Sequence, residues 1–181
     1  SLENDLVLNK EQKKVYDDIA FDIDFSDFSE NLIYGVTGSG KTEIYIQLIK
    51  RVLKEGKNAI VLVPEISLTP QMVERFTKRF KENICILHSK LVSRRRYEEW
   101  KRISSGEARI VIGARSAIFS PLKNIGIIIV DEEHDGSYRS ETTPKYDAKE
   151  IAKYIAKTND AVLIYGTATP LIETYYRAKN G

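Results

Sequence analysis

Short apolar runs alternate along the chain with segments in which apolar residues recur every three or four positions. The runs predict strands at 31–34, 58–63, 84–87, 109–113, 125–130 and 161–165. The helical spacing predicts helices at 9–20, 41–55, 69–81, 93–104, 147–157 and 170–178. Strands that alternate with helices imply right-handed crossovers and a mostly parallel, twisted sheet with helices on both faces, an α/β fold. Ile127-Ile128-Ile129-Val130 is apolar at every position, as expected of a strand buried on both sides. The acidic stretch from Phe21 to Phe28 reads as a connecting loop whose aromatics pack rather than bind a ligand. In the charged segment 93–102, Tyr97 and Trp100 are three apart, share a helix face and are expected to pack inward.

Composition narrows the class. At 181 residues the chain is expected to form a single domain with ample core. Its 42% hydrophobic and 30% charged residues are those of an ordinary globular protein. A net charge of +2 is too small to argue for nucleic-acid binding by itself. The one cysteine, Cys85, excludes an internal disulfide and a multi-cysteine zinc site, and its apolar neighbours make it a small buried residue. No apolar run approaches the roughly 20 residues of a membrane span and no signal peptide is evident, so no membrane role and a reducing cytoplasm are expected. The chain starts at Ser1 and its only methionine is Met72, which reads as a segment excised from a longer protein.

One motif points to chemistry. Gly35-Val36-Thr37-Gly38-Ser39-Gly40-Lys41-Thr42 has the spacing of a P-loop between a predicted strand and a predicted helix. A triphosphate is a dense anion. Glycines let backbone N–H groups curl around it, Lys41 is placed to reach the β/γ-phosphates, and the Thr42 hydroxyl to hold Mg²⁺. The following helix points the positive end of its dipole at the anion. The apolar run 127–130 ends at Asp131-Glu132-Glu133-His134. An acid at the C-terminal end of a parallel strand downstream of a P-loop is the Walker B arrangement, because ligands of open α/β sheets sit at those strand ends. Asp131 would hold Mg²⁺, and Glu132 would orient or deprotonate the attacking water. The cofactors expected are therefore a nucleoside triphosphate and Mg²⁺.

The tetrad Asp-Glu-x-His resembles that of superfamily 2 nucleic-acid motors of the DExH type. The strand-like stretch ending Gly166-Thr167-Ala168-Thr169-Pro170 resembles their motif III, with Thr167 and Thr169 able to hydrogen-bond His134 or the acidic cluster. The bland alternative is a strand end and helix start with Pro170 in the first turn. Four stretches together are similar to the replication-restart DNA helicases of the PriA family (primosomal protein N′). These are 35–45; Val63-Pro64-Glu65-Ile66-Ser67-Leu68-Thr69-Pro70-Gln71; Ile110-Val111-Ile112-Gly113-Ala114-Arg115-Ser116-Ala117-Ile118-Phe119; and Asp131–Asp135. The resemblance covers nearly the whole chain and implies the first RecA-like, ATP-binding lobe of a bacterial cytoplasmic helicase.

By position, the resemblance implies further roles. Gln12 would read the adenine edge, since its amide both donates and accepts, against the alternative of an exposed helix glutamine. Thr69 would meet the DNA backbone, or cap a helix, or both. Arg115 and Ser116 would contact phosphates, against a structural salt bridge. The loop 135–147 resembles the family's aromatic-rich loop, which couples DNA to ATP turnover. Tyr138 and Tyr146 would stack on bases there, and Arg139 and Lys145 would meet phosphates. A tryptophan common near Pro144 in the family is absent. His88 reads as a structural histidine. The implied partners are single-stranded and forked DNA, a second RecA-like lobe and DNA-binding domains of the same protein, and primosome and single-strand-binding proteins.

Two other classes remain as alternatives. Another DNA translocase or restriction-type motor shares every motif. A non-catalytic docking module could use the same surface. A GTPase is disfavoured, because no N-K-x-D signature follows the P-loop.

Overall fold

In the computed structural model, residues 5–35, 38–168 and 174–178 are described. Seven strands form one sheet in the order β3-β4-β2-β5-β6-β1-β7. The strands are β1 (Ser29–Gly35), β2 (Asn58–Leu62), β3 (Ile84–Leu87), β4 (Ile110–Gly113), β5 (Ile125–Asp131), β6 (Val162–Ala168) and β7 (Thr174–Ala178). Every pairing is parallel except β1 with β7. The helices are α1 (Lys10–Asp24), α2 (Gly38–Lys54), α3 (Pro70–Phe80), α4 (Ser93–Ser104) and α5 (Ala148–Thr158).

The sheet separates two apolar layers. Ile127 and Ile129 of β5 pack toward α1, α2 and α3, while Ile128 and Val130 pack toward α4 and α5. That alternation is why β5 tolerates no polar residue before Asp131. On α5, Ala148, Ala152 and Ala156 recur every four residues and are fully buried, so the helix backbone approaches the sheet closely. Helix starts follow local chemistry. Asn9 and Gln12 form a reciprocal capping box on α1. On α3, Thr69 accepts from the Met72 N–H, with Pro70 in the first turn.

Three expectations are corrected. Residues 174–178 are a strand, not the end of a helix over 170–178. Thr174, Tyr175 and Tyr176 are strand formers, and they cover the edge that β1 would otherwise leave unpaired. Phe21 to Asp24 belong to α1 rather than to a loop, because Ile19, Ala20 and Ile23 continue the buried face. Tyr97 and Trp100 point outward, 66% and 37% exposed, while Glu99 and Ile103 are buried. Spacing gave the aromatics a shared face but not its direction. Glu99 can turn inward because Arg102 meets both its carboxylate oxygens, at 3.2 and 3.1 Å.

A buried ion pair fixes α2 against α3. Arg79 reaches Glu43 at 2.8 and 3.0 Å, both side chains are 5% exposed, and Arg79 also reaches Asp5. Burial opposes ionisation of Glu43, but hydrogen bonds from Arg79, Gln47 and the Leu6 N–H outweigh it and hold the carboxyl below its usual range. A depressed folded pKa stabilises the fold above the unfolded value of about 4.3, and that contribution is lost as pH falls through the folded value. Arg79→Ala strands a buried carboxylate and is expected to cost about 3–5 kcal/mol at neutral pH. The deficit should shrink as the pH falls through the lowered folded value, where the wild-type pair loses its charge. Urea unfolding of both proteins at two pH values measures this.

Candidate functional site

β1 runs into the phosphate-binding motif and ends at Gly35, where a Cβ would lie 2.5 Å from Lys41 Cγ. Only glycine leaves room for the lysine stem to fold back across the strand end. Gly38, Ser39 and Gly40 form the first residues of α2, with Lys41 and Thr42 in its first turn. Val36 and Thr37 lie outside the described residues. Lys41 is 3% exposed. Its Nζ stands 3.3 Å from Asp131 Oδ1 and 3.2 Å from Glu132 Oε1. The lysine and the two acids, 90 and 91 positions apart in sequence, therefore meet at one point.

That meeting follows from topology. β5 delivers Asp131 at its C-terminal end, and β6 lies between β5 and β1 with Gly166 opposite Asp131. A Cβ on Gly166 would lie 2.6 Å from Asp131 Oδ1 and 1.7 Å from the Tyr45 hydroxyl. Tyr45, one turn beyond Lys41 on α2, donates to Asp131 Oδ1 at 2.8 Å. Its phenol is held well above its ordinary range by burial first and by Asp131 second. Glu132 follows the strand at φ 49°, the left-handed region that is uncommon for a side-chain-bearing residue. Its second oxygen lies 3.8 Å from His134 Nε2, and His134 Nδ1 lies 3.2 Å from Thr167 Oγ1. β6 ends three residues beyond the predicted strand end at 165, which brings Thr167 into the sheet beside this cluster. Thr169 lies outside the described residues.

Beside the lysine lies a cavity of about 270 Å³ whose walls include Gln12, Val15, Tyr34, Gly40 and Ile44. Gln12 Oε1 accepts from the Asn9 N–H at 2.9 Å, and Nε2 would lie 2.8 Å from a Cβ on Gly40. The expected adenine reader thus caps α1 with its oxygen and turns its nitrogen toward the phosphate-binding loop. A cavity of this size, apolar with a few polar groups, suits a flat heterocycle.

The residues expected on the DNA side divide into two sets. Thr69, Ser116, Arg139, His134 and Lys145 are exposed. Arg139 lies 3.4 Å from Asp147. Arg115 is committed inward: it donates to the Tyr146 hydroxyl at 3.2 Å and to the carbonyls of Ser137 and Arg139 at 3.1 and 3.0 Å. Tyr146 is half-buried between Arg115 and Phe119, edge-on to the Phe119 ring at 5.0 Å. Tyr138 is the clear correction. It is fully buried, and its hydroxyl donates to the carbonyls of Leu62 and Asp131, so it cannot stack on a base. Burial, then nearby Asp131, pushes its phenol up. Cys85 is buried in β3, where burial and then Glu99 raise its thiol, in keeping with a packing role.

Residues 5–172 match the model of the family described as "Type III restriction enzyme, res subunit" (ResIII). The chain belongs to the ResIII family. Within the range of that match lie both the phosphate-binding loop and Asp131–His134. The chain is 50% identical, over 97% of its length, to the replication restart protein PriA of Bacillus subtilis, of which it covers 22%. It is 46% identical, over 99% of its length, to that of Haemophilus influenzae, of which it covers 24%. This ResIII chain thus spans about a quarter of the length of those relatives. Among solved structures, RecG bound to a three-way DNA junction aligns with TM-score 0.66 and 23% identity over 92% of this chain and 21% of that one. The Hef helicase domain of Pyrococcus furiosus aligns with TM-score 0.55 and 18% identity over 92% of this chain and 36% of that one. At these identities the alignments establish the fold alone, a RecA-like α/β lobe.

Proposed function

We propose that the chain is one domain, the ATP-binding lobe of a superfamily 2 DNA helicase that restarts stalled replication forks and couples ATP hydrolysis to movement along single-stranded DNA. The observation that carries the reading is the meeting of Lys41 with Asp131 and Glu132 at the strand ends beside a glycine-lined helix start. Identity of 46–50% to replication restart proteins over nearly the whole chain supports the biological assignment.

The donor set fits a magnesium nucleotide. Thr42 and Asp131 offer a hydroxyl and a carboxylate, hard oxygen donors of the kind Mg²⁺ takes together with phosphates and water. Among the described residues no cluster of three or more acidic, histidine or cysteine side chains forms a metal cage, which suits an ion that keeps waters and phosphates as ligands. When bound, the ion would neutralise charge on the β- and γ-phosphates. Lys41 would leave the two carboxylates for the phosphates. Glu132, released on that side, would take the proton of the attacking water, with His134 and Thr167 at its other edge. Gln12 and the adjoining cavity would hold the adenine.

Exposed Thr69, Ser116, Arg139 and Lys145 would contact the DNA backbone, which carries affinity without sequence choice. Arg115 and Tyr146 would act by holding the loop that presents Arg139. Other domains of the same polypeptide, including a second lobe that brings an arginine to the phosphates, would complete the motor. An arginine finger of this kind is worth on the order of 10³–10⁵ in rate in related systems. Primosome and single-strand-binding proteins would be its partners in the cytoplasm. No helix among the described residues is long and apolar enough to cross a membrane.

The family description favours one rival, a restriction-type motor, which as a duplex translocase would be stimulated by duplex DNA. The test is ATP hydrolysis by a longer polypeptide carrying both lobes, with forked, single-stranded or blunt duplex DNA. Stimulation by forked or single-stranded DNA well above duplex is expected, and preference for duplex would favour the rival. The 181-residue chain alone should bind nucleotide weakly, turn it over at a small fraction of that rate and not unwind DNA.

A further inference from the structure

Tyr45 and Lys41 hold the Asp131 carboxylate from α2. Tyr45 donates to Oδ1 at 2.8 Å, and Lys41 lies 3.3 Å from the same oxygen. Gly166, facing Asp131 across the sheet, supplies the space that the tyrosine hydroxyl occupies. On the main chain, the Tyr138 hydroxyl lies between the carbonyls of Asp131 and Leu62, which share its one proton. The Tyr45 and Lys41 contacts both fall on one carboxylate oxygen, Oδ1.

From this we propose that Tyr45 is a positioning residue for the metal. By occupying Asp131 Oδ1 it fixes the carboxylate rotamer so that Oδ2 meets the Mg²⁺ of a bound nucleotide. The inference rests on the nucleotide-site reading and adds to it a residue that touches neither nucleotide nor ion. The physical reason is that a free aspartate samples several rotamers. A buried phenol on a rigid helix removes that freedom at no cost in charge, because a neutral donor leaves the carboxylate anionic. Lys41 cannot do the same job, because it must move to the phosphates when they arrive. Tyr45 is fully enclosed and stays. Tyr45 therefore keeps Asp131 aimed at the moment the lysine lets go.

The test is Tyr45→Phe in the 181-residue chain, probed with a fluorescent ATP analogue in chelator and then across a Mg²⁺ titration, with Mn²⁺ binding followed by electron paramagnetic resonance. Loss of a group that orients a metal ligand typically costs about 10–100-fold in metal affinity. The variant is expected to bind the analogue like the wild type in chelator but to need about tenfold more Mg²⁺ or Mn²⁺ for half-saturation. In an Asp131→Asn background, Tyr45→Phe should cause no further change, since its effect passes through that carboxylate. A metal titration unchanged by Tyr45→Phe would overturn the proposal, as would an equal shift with and without Asp131. If Tyr45→Phe lowers thermal stability, the Asp131→Asn pair still decides, because a merely structural loss would persist in that background. A wild-type chain that binds no nucleotide under any condition would instead remove the nucleotide-site reading, and this inference with it.

Discussion

Lys41→Ala is expected to weaken nucleotide binding by a factor on the order of 10–100, since hydrogen bonds to charged groups contribute about 1.5–3 kcal/mol each. The substitution removes the ammonium that lies 3.3 Å from Asp131 and 3.2 Å from Glu132. It also empties the space that Gly35 reserves for the lysine stem. A second effect follows from the same geometry. Without Lys41, the two acids face one another with no cation between them, so the nucleotide-free protein should also melt at a lower temperature. Lys41→Met keeps the stem and loses the charge. It should match the alanine variant in nucleotide affinity while recovering part of the packing. Equilibrium binding of a fluorescent ATP analogue, with thermal melts of all three proteins, separates charge from volume. Unchanged affinity in both variants would remove Lys41 from the site.

Glu132→Gln is expected to leave ATP binding nearly intact and lower turnover by about 10²–10⁴-fold, the usual contribution of a positioned base. Glutamine keeps the shape, and the backbone at φ 49° places the same demand on either residue. What is lost is the ability to accept a proton. The measurement belongs in a polypeptide with both lobes, where turnover is fast enough to lose. Rapid-quench single-turnover kinetics would show ATP bound and uncleaved. Normal hydrolysis would move the base elsewhere, with Glu133 the neighbour to examine: it pairs with Lys149 at 3.5 Å and its N–H donates to Gly166.

The parts of this protein that are local in sequence were legible there, and the parts that depend on distant contacts were not. The phosphate-binding loop needs eight consecutive residues between a strand and a helix, so its pattern survives without coordinates. Asp131 could be placed because an all-apolar run ending in an acid reads as a buried strand delivering a ligand. Tyr45 could not. Its partner is 86 positions away and its space is provided by a glycine on a third strand. Read alone, it is one apolar position on an amphipathic helix. Tyr138 misled for the converse reason. Flanked by Ser137 and Arg139, it looks like a surface aromatic, yet it folds under the strand ends and caps the carbonyls of Leu62 and Asp131. Arg115 shows a similar limit. An arginine after a strand signals a phosphate contact, but its planar fork suits backbone carbonyls equally well, and here it takes those of Ser137 and Arg139. β7 was missed because a Thr-Tyr-Tyr-Arg stretch adds to an existing edge, and sequence periodicity carries no record of which edge is open.

The most direct measurement of the central claim is a crystal structure of this chain soaked with a non-hydrolysable ATP analogue and Mg²⁺. Lys41 Nζ should leave Asp131 and Glu132 for the β/γ-phosphates, with the ion between Thr42 and Asp131 and the base beside Gln12. Polyphosphate bound elsewhere, or Lys41 still paired with both carboxylates while the analogue is bound, would contradict it.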